Sequence, residues 1–503
     1  MPRIYVNTIE QGSPSIEYKT LMIGSAEHTQ TGVSTGSLVT TIASKSALIT
    51  AIGGGTFLYN MADAFWKADK KFQTTLDFIF LEETVAATAG TRTIPLTGTA
   101  TAAGSFTVAV GDRAWTATVA VAIDDTAEEI GVALDAALDE LENFPFTPSN
   151  STGTLTLTSK VYGGIESAIP LKISGSAEGI VIGTLGGVAG VNPPVVTGIQ
   201  AILDAAEARY DVILVEDGVV MTPITTMLET YKEINNLDQQ GNVILSSTDT
   251  YASLLVDPAT YNDRTVWLSG LKAVTSATET SSNHIFTTEC LWRSYVAGIY
   301  AVCLTEGADC SDFLPNIALG SPDNRSVPFA DIVSEDYYVT DGEGWTLTEM
   351  INLEAAGVFV VHNNTAGNLE LGNVVTTYVT DSEGNPDVAF HFVNGQLIAQ
   401  FSNSYFYTML KTLKHQRLYS ATARSKITSY FSLWYDALSN VQEDENGNKY
   451  ILLDSDGKDE FMTTLKDTMT VTLSSGEVDI TKAVLSILSQ LRIVQFFNKF
   501  QYL

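Results

Sequence analysis

Between Tyr18 and Leu81 the sequence runs from YKTLMIG (18–24) through SKSALITAI (44–52), GGG (53–55) and FLYNMADAFWKA (57–68) to LDFIFL (76–81). The first and last runs are short, apolar and bounded by polar residues or Gly, the pattern of strands buried on both faces. Ser44 to Ile52 reads as a helix. Phe57, Met61, Ala64, Phe65 and Ala68 recur at helical spacing and give a second, amphipathic one. Residues 19–82 therefore read as strand, helix, helix, strand, an α/β unit.

The composition changes at about Ala86. Residues 88–118 are rich in Thr, Gly and Ala and alternate along Ser105 to Val110, then along Trp115 to Val119. Asp124-Asp125-Thr126-Ala127-Glu128-Glu129 supplies capping residues and first-turn acids, so a helix is expected to run to Leu141. Residues 153–159 and 169–173 alternate again. This is a β-rich module inside the α/β pattern, which resumes with a helix at 197–209 and a strand from Val212 to Val215. Helices are then expected at Thr222–Asn235 and Ile285–Thr305. Strands are expected at Asn242–Ser246, Thr265–Leu268, Trp345–Leu347 and Val358–Val361. The last unit reads as a helix from Ser402 to Leu438 and a hairpin around Asn446-Gly447. Strands at Met469–Leu473 and Val478–Ile480 and a helix at Thr481–Leu491 follow.

The fold class expected is multi-domain α/β, with helix-covered sheets, an inserted β-rich outer domain and a C-terminal α+β domain bearing strand-like arms. The divisions expected are an arm at 1–18, a discontinuous α/β domain at 19–85 plus 191–379, the insertion at 86–190, a C-terminal domain at 380–491 and an arm at 492–503.

The 503 residues carry 27 Lys+Arg against 58 Asp+Glu, a formal net charge of −31. That balance counts against nucleic acid and against an anionic membrane surface as partners, since both want clustered cations. The charge is uneven: residues 191–379 hold 6 cations and 25 acids, whereas residues 1–85 and 380–503 are close to neutral. If copies of the chain associate, the near-neutral ends are the expected contact surfaces, because long-range repulsion is weakest there. Residues 1–18 hold no apolar h-region, so no secretory signal is expected. Gly179 to Val196, the most apolar stretch, contains five glycines and Pro193-Pro194, too broken for a membrane helix. Three cysteines, Cys290, Cys303 and Cys310, do not make a disulfide framework; reduced, structural thiols are expected.

The motifs that would carry chemistry are incomplete. Gly53-Gly54-Gly55 before a helix could cradle a phosphate, but no Lys-Ser/Thr follows, and the alternative is a tight turn into the helix. Gly32-Val33-Ser34-Thr35-Gly36 matches G-x-S-x-G, yet the polar run Ala26 to Thr31 precedes it where a nucleophile elbow needs a strand, so a loop is expected. His28, His284, His362, His391 and His415 form no pair at zinc-helix spacing. Asp454 to Glu460 lacks the third acid and distal Glu of a calcium loop. No catalytic residue, metal or cofactor is expected, and the chain is read as no enzyme.

Two features remain. From Val388 to Tyr435 there is no Asp or Glu, while Lys411, Lys414, Arg417, Arg424 and Lys426 all occur. This local basic surface would suit an acidic partner; internal ion pairs are the alternative. Both chain ends are strand-like: Ile4, Tyr5 and Val6 at one, Ile493, Val494, Phe496 and Phe497 at the other. Such segments can add a strand to another subunit's sheet, or pair within their own chain.

The run Leu21-Met22-Ile23-Gly24, a Thr/Gly/Ser-rich segment, Ile42 to Ile49, and then Ile52-Gly53-Gly54-Gly55-Thr56-Phe57-Leu58-Tyr59-Asn60-Met61-Ala62-Asp63-Ala64-Phe65 resembles the start of the tail sheath proteins of Mu-like contractile-tailed bacteriophages. That family runs from an L-M-I-G strand to a segment like F-G-x-G-S-x-L-x-x-M; here Ile52 replaces Phe and Thr56 replaces Ser. The insertion, with Gly104–Val110, Trp115–Val119 and Ala127–Leu138, resembles that family's too, as does the order of the later parts. The resemblance implies a virion subunit, made and assembled in the host bacterial cytoplasm, that polymerises as stacked rings around an inner tail tube and ends at baseplate and terminator proteins. Contraction of this lattice would drive the tube through the host envelope. It further implies that the arms swap strands into neighbouring C-terminal domains, with the C-terminal domain innermost and the insertion outside. A β-decorated surface-binding or adhesin protein, and an α/β enzyme with an unrecognised site, are the competing readings.

Overall fold

The computed structural model describes, with short gaps, residues 19–271, 289–305 and 345–400, and beyond these only scattered residues between 425 and 463. It is a mixed α/β protein with several sheets.

The first unit holds β1 (Thr20–Gly24), β2 (Leu38–Val39), α1 (Lys45–Ile52), α2 (Phe57–Ala68) and β3 (Leu76–Phe80). Ser44 caps α1 by accepting from the Ala47 N–H, as an N-cap serine does. Between residues 89 and 188 lie β4 (Ala89–Gly98), β5 (Gly104–Val110), β6 (Trp115–Val121), α3 (Ala127–Asp139), β7 (Phe146–Ser151), β8 (Thr154–Tyr162), β9 (Leu171–Ser176), β10 (Ile180–Ile182) and β11 (Gly186–Val188). The chain then gives α4 (Ile199–Ala205), β12 (Val212–Val215), α5 (Thr222–Tyr231), β13 (Asn242–Ser247), α6 (Tyr251–Leu254), β14 (Val266–Gly270), α7 (Glu289–Thr305), α8 (Leu347–Ala356), β15 (Val358–Asn363) and β16 (Leu369–Leu371). Last among the described elements are β17 (Gln442–Glu443) and β18 (Lys449–Tyr450), an antiparallel pair flanking Asn446-Gly447.

The main sheet has eight strands in the order β16-β15-β14-β13-β12-β1-β3-β2. The six from β15 to β3 are parallel, and the two edge strands are antiparallel. Alternate residues of each strand feed two cores. Met22, Phe78, Leu214, Ile244 and Trp267 pack against α1, α2 and α7. Leu21, Ile23, Ile213, Val243 and Leu268 pack against α4, α5, α6 and α8. The sheet is thus covered by helices on both faces, which is why its strands read as unbroken apolar runs.

Within residues 89–188 two antiparallel sheets, one of β10, β11, β4, β8 and β7 and one of β6, β5 and β9, pack around α3. The chain enters and leaves side by side: the Thr88 N–H donates to the Val191 carbonyl at 3.2 Å and the Val191 N–H to the Thr88 carbonyl at 3.3 Å. Thr126 and Glu129 form a capping box at the start of α3.

One expected element is corrected. Trp345-Thr346-Leu347 is not a strand: Thr346 caps α8 in a second capping box with Glu349, and Leu347 is the first helical residue. Trp345 and Leu347 carry strand propensity, but Thr346 and Glu349 form a T-x-x-E signature that prevails because it satisfies orphan backbone donors. The helix opened by Thr126 ends at Asp139 rather than Leu141. Residues 425, 428, 429, 431 and 432, within the expected 402–438 helix, are helical.

Candidate functional site

In the parallel part of the sheet the chain steps from β1 outward to β3 and then resumes on the other side of β1 with β12. Such a reversal opens a crevice at the carboxyl ends of the two strands, where doubly wound sheets hold their ligands.

Here the crevice is filled by the chain's own side chains. Glu216, directly after β12, is 2% exposed. Its Oε2 accepts from the Ser25 N–H at 2.5 Å, directly after β1, and its Oε1 has no hydrogen-bond partner among the described residues. Burial pushes the Glu216 carboxyl up to about 8, with the neighbouring Asp217 charge acting in the same direction and the Ser25 bonds and Arg293 opposing. Asp217 takes a different environment. Its Oδ1 pairs with Arg293 Nη2 at 2.7 Å, and its Oδ2 accepts from the Cys290 N–H at 3.1 Å, on the first turn of α7. Arg293 also donates to the Val215 carbonyl and to Ser246 Oγ, the latter at 3.3 Å, so one guanidinium ties the ends of β12 and β13 to α7. Burial disfavours the Arg293 charge, and Asp217 reverses that effect and holds it protonated. From α2, Leu58 closes the remaining side: a Cβ placed on Gly24 would meet Glu216 Oε2 at 2.8 Å and Leu58 Cβ at 2.9 Å.

The glycine tract is filled in the same way. The Gly55 N–H donates to Glu27 Oε1 at 2.8 Å, so a carboxylate of this chain sits where a phosphate would have to approach. Gly53, at φ +88, is the C-cap of α1 and leads into the turn expected from the sequence. The G-x-S-x-G segment is a loop: Gly36 N–H donates to the Phe80 carbonyl at 2.9 Å, and Ser34 Oγ bonds Ser37 Oγ at 2.9 Å. Cys290 is buried. Among the described residues no group of three or more His, Cys, Asp or Glu could hold a metal ion, and no helix is long and apolar enough to cross a membrane.

The residues singled out for intersubunit contact, Ile4, Tyr5, Val6, Ile493, Val494, Phe496 and Phe497, and the basic set Lys411, Lys414, Arg417, Arg424 and Lys426, lie outside the described residues. So do Cys310, His284, His415 and all but Asp459 of the 454–460 run. The sequence reading missed the Glu216–Asp217–Arg293 cluster. Its signals were present: an acid pair directly after the apolar run Val212–Val215, and Arg293 as the sole charge between Cys290 and Leu304. A lone cation in an apolar helix needs a buried partner.

No family model matches the chain, and no curated protein matches it. Among solved structures it is similar to a sheath tail protein of Listeria innocua (11% identity, 88% of this chain and 89% of that one, TM-score 0.42). It is likewise similar to a sheath tail protein of Desulfitobacterium hafniense (12% identity, 85% and 90%, TM-score 0.38). A chain of the anti-feeding prophage baseplate shares 11% identity over 50% of this chain and 60% of its own, with a TM-score of 0.28.

Proposed function

We propose that the chain is a structural subunit of a contractile phage tail sheath. It would polymerise around an inner tube and shorten to drive that tube through the host envelope. The observation that carries this reading is how the family-like segments are used. Leu21–Gly24 is the fully buried strand β1, and Phe57–Phe65 lies on the helix α2 that covers it, so both serve packing. The crevice that an enzyme of this topology would use is closed by Glu216, Arg293 and Leu58, which weighs against the enzyme reading.

In this proposal the division of the chain is the one expected from sequence, with arms at 1–18 and 492–503. Ile4, Tyr5 and Val6, with Ile493, Val494, Phe496 and Phe497, add strands to neighbouring copies and keep those bonds while the bodies rotate. Partners are further copies, the tube protein and the baseplate and terminator proteins. Energy resides in the lattice and no nucleotide is consumed.

Negative-stain electron microscopy of the purified, concentrated chain, alone and co-expressed with its tube protein, tests the assembly. Long, regular hollow cylinders are expected. Deleting residues 1–12 or 493–503 should abolish them and leave a folded monomer; normal cylinders from either deletion would refute the arm assignment. Charge reversal at Lys411, Lys414 and Arg417 should weaken tube co-assembly and remove its salt sensitivity, since labile contacts of exposed charges are screened by salt. Unchanged co-assembly of the reversed variant would remove this surface from the mechanism.

A further inference from the structure

The insertion touches the main sheet's domain at a second place, apart from the paired strands of chain that enter and leave it at Thr88 and Val191. After β1 the loop from Ser25 to Gln30 is fixed on both sides. On the α/β side the Glu27 N–H donates to the Ile52 carbonyl at 2.8 Å, and Glu27 Oε1 accepts from the Gly55 N–H. On the insertion side the Lys160 carbonyl of β8 accepts from the His28 N–H at 2.9 Å and from His28 Nδ1 at 2.7 Å. The His28 ring lies 4.9 Å from that of Tyr162, also on β8.

The glycine tract completes the contact. A Cβ at Gly54 would stand 2.4 Å from Asn143 Oδ1, and one at Gly55 would stand 2.5 Å from Lys160 Cδ and 2.7 Å from the Phe144 carbonyl. Asn143, Phe144 and Lys160 all belong to the insertion. The two glycines are therefore the surface on which the α3–β7 connection and β8 rest; at Gly55, against the Phe144 backbone carbonyl, the separation is one that only a residue without a side chain permits. Beneath them the apolar core runs without a break from Ile52 and Phe57 to Phe144, Phe146 and Leu157.

We propose that Glu27, His28, Gly54 and Gly55 form a socket that clamps the insertion, so that it and the main sheet move as one rigid body. A domain joined only through two adjacent chain crossings can swivel about them. A second, packed contact removes that freedom, because turning would separate buried apolar surface and break the His28–Lys160 bonds. The clamp is a property of the folded chain and does not depend on the sheath reading. If that reading holds, the insertion follows every rotation of the sheet in the lattice.

The test uses the full chain with Cys303 and Cys310 replaced and nitroxide labels on cysteines at Val132 of α3 and Ile351 of α8, both exposed. Pulsed electron–electron resonance should give one narrow distance distribution. Gly55→Val should at least double its width. His28→Ala, which leaves the glycine surface intact and removes the ring and the Nδ1 bond, should broaden it in the same direction. Circular dichroism checks that each variant stays folded. A broad distribution in the parent chain, or an unchanged narrow one in both folded variants, would overturn the clamp.

Discussion

Replacing Arg293 by alanine is expected to cost about 3–5 kcal/mol of folding stability, the usual penalty for removing one member of a buried ion pair. Arg293 is 5% exposed and supplies the only charge opposite Asp217 in this crevice among the described contacts. Its removal strands a carboxylate that is desolvated by α7 and by the ends of β12 and β13. It also takes a donor from Ser246 Oγ and from the Val215 carbonyl. Urea unfolding followed by tryptophan fluorescence reads the change, because Trp267 and Trp292 are wholly buried beside the site. Removing both charges should hurt less than removing one. Arg293→Met combined with Asp217→Asn keeps an acceptor for the Cys290 N–H and should recover at least half of the loss. Alanine at 293 within about 1 kcal/mol of the parent would show that the pair is solvated, contrary to its burial.

The second large effect is a dependence on pH. Glu216 has its carboxyl pushed to about 8 by burial, against an ordinary value of 4.5. Between those values the folded chain binds a proton there that the unfolded chain does not. Stability from this group is complete below the ordinary carboxylate range and falls as pH rises through about 8, with a slope of about 1.4 kcal/mol per pH unit. Glu216→Gln keeps the shape of the neutral acid and an acceptor for the Ser25 N–H, and it has no proton to lose. Its unfolding free energy, compared with the parent's at pH 5, 6, 7 and 8, should draw level with and then exceed the parent's as pH rises. Two parallel curves would mean that Glu216 is charged in the folded chain and that another group compensates it.

Both effects arise from a crevice whose position follows from the strand order. Glu216 fills the space with a carboxyl that burial pushes toward its neutral form, Arg293 reaches in from α7, and Leu58 stands on the α2 side. The arrangement makes the crevice part of the core.

The strands were legible because burial on both faces leaves its mark in composition alone: TLMIG, LDFIF, VILV and VWLSG are apolar almost throughout. The helices α1, α2 and α3 were legible from a 3.6-residue period and from capping residues that act within one turn. Local signals of this kind are complete within a few residues, so a single chain displays them. Where two local signals competed, as at Trp345-Thr346-Leu347, strand propensity misled and the capping box decided. The basic stretch and the two strand-like ends were equally visible as composition, since charge and β-branching can be counted along the chain.

What no local reading could supply was the partner of each buried polar group. Glu216 meets Ser25 across 191 positions, Arg293 meets Ser246 across 47, and His28 meets Lys160 across 132. The glycine tract shows the limit most directly. From the sequence, Gly53-Gly54-Gly55 could be a phosphate cradle or a turn, because both need a backbone free of side chains. The tertiary structure adds a reason that lies outside the segment: Asn143, Phe144 and Lys160 from the insertion occupy the space that two side chains would need. Within the described residues the sequence by itself determined most of the helices and strands, since those depend on periodicity and on capping within a turn. Only the tertiary structure decided what fills the switch point and what the glycines are for, because both depend on contacts between residues far apart in the chain.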